Sequence, residues 1–310
     1  FFAERLEGND RREGFLDFLT AHRKGASEKC LVDSPKEMAS EIKKVAKLFG
    51  AKLVGITYFD ERWVYKHKYS RQNEDELEMD LPEGLTSAIV VCHEMDHDLL
   101  ETVPSALSGT ATGVGYSQDA VTLLALSQYI KNLGYQAVAS MNDTALSIPL
   151  AIKAGLGEYG RHGLLITPEL GPRLRIGKVF TDLPLAHDRP MRFGVKQFCD
   201  VCRKCSDACP PSAIPKGAPS EVTYNQSNIL GINKWTVDGE KCFGFWAQQV
   251  TDCSICLRVC PYNRPYPFWI NKIRHRLMGS FLRGLMLRLD NFLGGGKRKP
   301  PKWWWGKKDS

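Results

Sequence analysis

The chain has no run of eighteen apolar residues anywhere in its 310 positions, so the sequence offers no segment that would cross a bilayer as a helix. It also lacks an initiator Met, and its opening, FFAERLEGND, has neither a basic n-region nor an apolar h-region. Compartment is therefore not legible from a signal peptide; the sequence has either been processed or starts part-way into a longer protein. Cysteine is scarce outside one region. Eight of the ten cysteines fall between residues 199 and 260, which is not the pattern of a small secreted scaffold stapled by disulfides. Neither sign of charge dominates: 42 Lys and Arg oppose 35 Asp and Glu, a formal excess of +7. That excess is uneven, with RQNEDELEMD (71–80) acidic and the last forty residues strongly basic. Apolar content of 43 % with 25 % charged residues is ordinary for a globular protein. The length suits two domains, or one large α/β domain with an appended module.

What is there is a pair of cysteine groups. The first is Cys199-x2-Cys202-x2-Cys205-x3-Cys209-Pro210, and the second is Cys242-x10-Cys253-x2-Cys256-x3-Cys260-Pro261. A 4Fe–4S cube needs four converging thiolates. A C-x2-C-x2-C turn supplies three, and the cysteine before proline crosses to the other cluster. By that logic cluster 1 takes Cys199, Cys202, Cys205 and Cys260. Cluster 2 takes Cys209, Cys253, Cys256 and the detached Cys242. Zinc would use paired C-x2-C loops closing one tetrahedral site, not two quartets each ending in Cys-Pro. Cys30 and Cys92 stand outside the pattern and read as small buried hydrophobes.

Along the chain, residues 1–29 are charged, with short helical stretches such as GFLDFLTAH. Ser34-Pro35-Lys36-Glu37 opens a helix, with Ser34 as N-cap and Glu37 completing a capping box. Ile42, Val45, Leu48 and Phe49 share one face, and Gly50 ends the helix. KLVGITY (52–58) and SAIVVCH (87–93) read as strands, QDAVTLLALSQYIKNLG (118–134) as an amphipathic helix and YQAVAS (135–140) as strand-like. Residues 144–154 read as helical, and GLLIT (163–167) and RLRIGKVFT (173–181) as strands. This alternation predicts an α/β layered domain up to about residue 185, after which turns take over.

Two motifs spell chemistry their context does not support. His93-Glu94-Met95-Asp96-His97 matches the zinc-protease H-E-x-x-H, which works only on a helix, whereas here it leaves a strand. Gly155-x-Gly157-x-x-Gly160 matches the dinucleotide fingerprint, but the expected strand-then-helix order is reversed around it. Those three glycines would instead let backbone pass close to a flat or bulky group such as a large planar cofactor.

GYS (115–117), SMNDTALSIPLAIKAGLGEYGRHGLLITPELGPRLRIGKVFTDLPL (140–185) and the two cysteine groups together resemble the cobalamin-dependent reductive dehalogenases. The resemblance runs from about Ser34 to Tyr262. It implies a nitroreductase-like corrinoid-binding α/β core (residues 1–190), a bacterial-ferredoxin-like module with two 4Fe–4S clusters (191–263) and a basic aromatic C-terminal part (264–310). It also implies a respiratory-type catalytic subunit. Tyr116 would be the proton donor, with Asn142 and Arg175 beside it. Trp246 would line the substrate pocket, and Met141, Gly155, Gly157, Gly160, Thr167 and Arg173 would contact the corrinoid. The physical chemistry agrees: a phenol is a poor acid at neutral pH unless a neighbour such as a guanidinium stabilises its phenolate. Arg173 and Arg175 are expected on one face of a strand. No Asp-x-His-x-x-Gly occurs, which fits base-off binding. Family members carry an aromatic-rich N-terminal wall, often behind a twin-arginine signal; here only the charged residues 1–33 precede Ser34.

From Arg264 onward Lys272, Arg274, Arg276, Arg283 and Arg288 interleave with Trp269, Ile273, Leu277, Phe281, Leu285 and Leu289, followed by a Lys/Arg/Pro run and Trp303-Trp304-Trp305. Two readings compete: a membrane-surface contact, or a helix packing its apolar side on the core before a solvated tail. The sequence thus predicts an oxidoreductase. Electrons would enter at the more exposed cluster and reduce a corrinoid cobalt that removes halide from an organohalide. Expected partners are a redox protein or quinol-linked donor and a small integral-membrane anchor protein, with no nucleic acid. The expected location is the cytoplasmic membrane periphery, on the outer face if a twin-arginine signal has been removed, the alternative being the cytoplasm. The competing functions are an epoxyqueuosine reductase-like tRNA-modifying enzyme and a cluster-bearing electron carrier.

Overall fold

Ser34 starts the first helix as its chemistry requires: its Oγ accepts the Glu37 N–H at 3.3 Å, and Pro35 occupies the first turn of α1 (Pro35–Leu48). The structure, a computed structural model, describes residues 25–70, 75–142, 144–226, 228–249 and 251–307. The helical stretch GFLDFLTAH lies outside the described residues. Strands β1 (Leu53–Tyr58), β2 (His67–Ser70), β3 (Asp75–Glu78) and β4 (Ser87–Glu94) follow, then α2 (His97–Glu101) and α3 (Ala106–Asn132). Next come β5 (Ala137–Ser140), α4 (Ser147–Lys153), β6 (Glu158–Tyr159), β7 (Leu165–Ile166) and β8 (Leu174–Thr181). Helices α5 (Val195–Val201), α6 (Lys204–Asp207), α7 (Gly239–Gln249) and α8 (Ile255–Val259) carry Cys199, Cys205, Cys242 and Cys256, with the other four cysteines of the two groups in the turns beside them. They are followed by α9 (Phe268–Met278), α10 (Arg283–Phe292) and α11 (Pro301–Trp305).

The chain forms two compact units. One comprises residues up to Glu94 with Gly113–Leu156 and Arg175–Met191; the other comprises Met95–Thr112, Gly157–Leu174 and everything from Arg192. In the first unit the sheet order is β1-β4-β8-β5, with β1/β4 and β5/β8 antiparallel. Its core joins Ile42 of α1, Ile56, Ile89, Val91 and Val179 of the sheet, and Leu123, Leu126 and Ile130 of α3. Each is fully buried, contributing about 1.5–3 kcal/mol by removal from water. In the second unit Phe198, Trp235, Tyr262 and Met278 pack around Cys199, Cys202 and Cys260. Val103, Ile214, Ile255 and Val259 pack around Cys205. Among the described residues no helix is long and apolar enough to cross a membrane.

Four expectations change. The helix expected from residue 118 begins at Ala106, so Tyr116 lies inside it. Arg173 precedes β8 and does not share a strand face with Arg175. Cys92 is buried as expected, but Cys30 is exposed. The C-terminal part departs from the reading of a helix with its apolar side on the core followed by a solvated tail. On α9 the buried side chains are Asn271, His275 and Met278, whereas Trp269 and Ile273 are 65 % and 53 % exposed. The last segment is not a free solvated tail. The Lys299 N–H donates to Glu101 O at 2.8 Å, the Arg298 guanidinium donates to Thr102 O and Pro104 O, and Trp304 packs with Leu99, Leu100 and Leu257.

Candidate functional site

In the first unit three elements deliver one polar constellation. Helix α3 presents Tyr116, the turn after β5 presents Asn142, and β8 presents Arg175. Asn142 Nδ2 donates to the Tyr116 hydroxyl at 2.7 Å and Arg175 Nη1 donates to the same oxygen at 3.3 Å. The Arg175 guanidinium also lies 4.4 Å from the centre of the Tyr116 ring, a cation–π contact that holds ring and charge together. With both neighbours donating, the phenol oxygen is an acceptor twice over and its own O–H remains free to donate to a third group. Asn142 is exposed and Tyr116 and Arg175 are half-buried, so that third group can arrive from outside. The sequence-predicted trio therefore converges.

Behind it lie residues that the sequence reading passed over. Lys178 on β8 is fully buried; its ammonium donates to Met141 O and, at 3.1 Å, to Ser147 Oγ. Met141 immediately precedes Asn142, so Lys178 fixes the turn that aims the amide. Asp119, one turn beyond Tyr116 on α3, is buried, and its Oδ1 faces His93 Nδ1 at 3.1 Å. The Thr122 hydroxyl donates to Phe49 O at 2.8 Å and therefore accepts from His93 Nε2–H at 2.9 Å. Burial pushes the Asp119 carboxyl above its ordinary value, against the opposing pull of His93, Lys178 and Arg175. A side chain at Gly177 would place its Cβ 2.3 Å from Asp119 Oδ1, so the glycine lets β8 lie against this acid. His93 is thus committed to the core, and the H-E-x-x-H match is a strand leaving the sheet, as its context predicted. The missed signal was a polar residue inside an apolar run, the Lys of GKVF.

In the second unit Cys199, Cys202, Cys205 and Cys260 line one cavity together with His162, Phe198, Pro261 and Tyr262. Burial raises all four thiols, and Cys199 and Cys202 raise Cys260 further. The second quartet is equally self-referential. The Cys242 thiol is pushed up to about 11 by burial, then by Cys253 and Cys209. Cys256 is raised by burial, then by Cys253, Cys242 and Cys209. Thiols held this close in an apolar surround are poor thiolates on their own and need a cation to displace their protons. Among the described residues no three His, Cys, Asp or Glu side chains approach one point closely enough to hold a single metal ion. Two cysteine quartets that each end in Cys-Pro suit clusters rather than one zinc.

The glycine motif serves the fold. An added Cβ would lie 2.5 Å from Arg189 O at Gly155, 2.2 Å from Ile166 O at Gly157 and 2.7 Å from the His162 ring at Gly160. The close approach is to the protein's own chain. Thr167 is occupied locally, accepting the Leu170 N–H at 3.0 Å, and Arg173 donates to Leu170 O and Asn263 Oδ1. Trp246, on α7, is half-buried beside Phe243 at 6.2 Å between ring centres.

Residues 198–263 match the 4Fe-4S double cluster binding domain family. The chain is 38 % identical over 270 residues to a tetrachloroethene reductive dehalogenase of Desulfitobacterium hafniense, covering 75 % of this chain and 49 % of that one. It is 33 % identical over 287 residues to the enzyme of the same name from Sulfurospirillum multivorans, covering 84 % and 57 %. The chain thus spans about half the length of these curated relatives. Among solved structures it superposes with a TM-score of 0.75 and 27 % identity on a B12-dependent reductive dehalogenase, covering 89 % of this chain and 40 % of that one. The same superposition holds for a catabolic reductive dehalogenase in complex with 3-bromo-4-hydroxybenzoic acid. The mixed α/β architecture, the double-cluster domain and the shared sequence agree: the chain belongs to the reductive dehalogenase family.

Proposed function

We propose that the protein is a reductive dehalogenase that replaces a halogen on an organic substrate with hydrogen. The observation that carries this reading is the phenol of Tyr116, which accepts from Asn142 and Arg175 and keeps its own proton free to give away. Overall, two electrons and one proton convert the carbon–halogen bond to carbon–hydrogen and release halide. Two 4Fe–4S clusters and a base-off corrinoid would supply the electrons and the reduced cobalt at which that bond breaks. Cys199, Cys202, Cys205 and Cys260 would hold one cluster, and Cys209, Cys242, Cys253 and Cys256 the other. In the unit that carries Tyr116, Met141 and the backbone at Gly155 would border the corrinoid. Tyr116 donates the proton to the carbon fragment. The Arg175 guanidinium stabilises the phenolate left behind, and Asn142 fixes the oxygen's position. Trp246 is proposed to wall the substrate pocket.

Supply of the protein with iron, sulfide and a corrinoid tests the reading. The expected result is two clusters per chain, bound corrinoid, and halide release from tetrachloroethene or a brominated phenol. Stoichiometric clusters without bound corrinoid would remove it. Partners would be a redox protein or quinol-linked donor and a small integral-membrane anchor.

We further propose a location at the periphery of the cytoplasmic membrane. The support is the exposed apolar set Trp269, Ile273, Phe281, Leu285 and Phe292 beside exposed Lys272, Arg276 and Arg288. Such a surface suits anionic lipid headgroups over acyl chains. Reversing those three charges to Glu is expected to release the protein from anionic vesicles at physiological salt. Unchanged co-sedimentation would argue against it.

A further inference from the structure

The β6–β7 hairpin carries two side chains that the proposed reaction does not use. Its turn is tight: Gly160 N–H donates to Leu164 O at 2.9 Å and Gly163 adopts φ +78°, a conformation that favours glycine. The turn presents Arg161 and His162 to the unit interior.

Arg161 is 2 % exposed. Its Nε and Nη2 donate to Cys199 O at 3.1 and 2.8 Å, and its Nη1 donates to Pro215 O and Gly217 O, both at 2.8 Å. Its guanidinium lies 4.6 Å from the centre of the Trp235 ring. Every hydrogen-bond partner is a neutral carbonyl; among the described residues no carboxylate pairs with it. A full charge held this way costs several kcal/mol unless an anion lies near. The groups beside it are the cysteines of the cavity, and its backbone partner is Cys199 itself.

His162 is 5 % exposed and lines that cavity. Its Nδ1 accepts the Leu164 N–H at 3.2 Å. A backbone N–H can only donate, so the ring proton sits on Nε2. Nε2 is buried with no acceptor in the protein. The Tyr262 hydroxyl repeats the situation: the residue is 2 % exposed, lines the same cavity, and its oxygen has no partner. Orphaned buried donors are rare and costly. Here two of them border a cavity ringed by four cysteines.

A four-iron cluster with four thiolate ligands is a net anion and becomes more negative on reduction. Its sulfurs accept hydrogen bonds, and its potential rises with donors to those sulfurs and with nearby positive charge. We propose that Arg161, His162 and Tyr262 form the electrostatic seat of the Cys199–Cys202–Cys205–Cys260 cluster. His162 Nε2–H and Tyr262 O–H donate to its sulfurs, Arg161 is its counter-charge, and together they hold its reduction potential up. All three are positioning residues. The inference rests on the ligand assignment above, not on the identity of the organic substrate.

The test is a potentiometric titration of the iron-loaded protein followed by electron paramagnetic resonance. Iron content and two reduced-cluster signals in the unsubstituted protein are read first. Their absence overturns the ligand assignment and this inference with it. With both present, Tyr262→Phe and His162→Leu are each expected to lower the potential of one cluster and leave the other unmoved. The double variant should shift the reduction equilibrium about tenfold, which is about 59 mV for a one-electron couple. His162→Gln, which keeps an N–H donor, should recover part of the shift. Full iron with unmoved potentials in both single variants overturns this inference alone. Should a substitution expel the cluster, nuclear-coupling spectroscopy on the unsubstituted protein with 15N-histidine decides instead. An exchangeable proton and a 15N coupled to one cluster support the seat, and their absence refutes it.

Discussion

Tyr116→Phe is expected to reduce turnover in dehalogenation by roughly 10²–10⁴-fold, the usual contribution of a positioned general acid. The substitution removes one oxygen and little else. The ring stays beside the Arg175 guanidinium, 4.4 Å from the ring centre, while Arg175 Nη1 loses the hydroxyl it donates to. The Asn142 amide loses its acceptor but is exposed, so water replaces the bond and stability should change by no more than about 1 kcal/mol. Cluster content and substrate KM should therefore be close to those of the parent while kcat falls. Undiminished kcat on a haloalkene would show that the proton comes from elsewhere.

Asp290→Asn is expected to be the most damaging single change to the second unit. Asp290 on α10 has a nearly buried side chain and accepts from three directions. Arg264 Nε and Nη2 donate to its two oxygens at 2.8 and 3.0 Å, a bidentate pair, and Lys204 Nζ donates at 2.6 Å. Burial alone would raise its carboxyl. Hydrogen bonds and charge from Arg264 and Lys204 outweigh that and hold it below the ordinary value of 3.8. A neutral amide leaves the buried Arg264 and the half-buried Lys204 without this anion, which costs up to about 3–5 kcal/mol. The sign of the pH effect follows. A carboxyl lowered by folding contributes its full stabilisation above pH 3.8 and loses it as pH falls through the lowered value. Protease susceptibility of α9 and α10 should rise in the variant at neutral pH, and in the parent only in acid. An Asn variant as resistant as the parent at pH 7 would refute this account.

The parts of this molecule that were legible in the sequence were those fixed locally or by ligand chemistry. Ser34, Pro35 and Gly50 bracket α1 because capping needs only neighbours in the chain. The apolar runs of β1 and β4 fall where expected because buried strands must be apolar throughout. The cysteine quartets follow from spacing, since a cube dictates where thiolates must stand. The extension of α3 back over Tyr116 is hidden because Gly109, Gly113 and Gly115 weaken helix propensity there. Tertiary packing overrides that weakness, and propensity alone could not reveal it. Lys178 and Asp119 were silent, and His93 was legible only as a strand end, for a related reason. A buried charge is recognised by its partners, and those lie 26 to 37 residues away from one another in sequence at Asp119–His93 and Lys178–Met141. The C-terminal helices misled because periodicity shows that two faces differ, not which of them meets the core. In α9 the polar face does, through Asn271 and His275.

The grip on Asp290 has one more consequence, for the order in which the protein is made. Lys204 sits between Cys202 and Cys205, and Arg264 follows Cys260 by four positions. The two cations that Asp290 joins thus belong to the two ends of the cysteine quartet proposed to hold one cluster, segments synthesised far apart in time. Asp290 lies downstream of every cysteine. A nascent chain that has finished its ligands still lacks the clasp that draws them together, so productive iron insertion is expected only after α10 has emerged from the ribosome. A chain arrested just before Asp290 should collect little iron, and one released beyond it should fill. Maturation of this cluster would then be gated by the progress of translation itself.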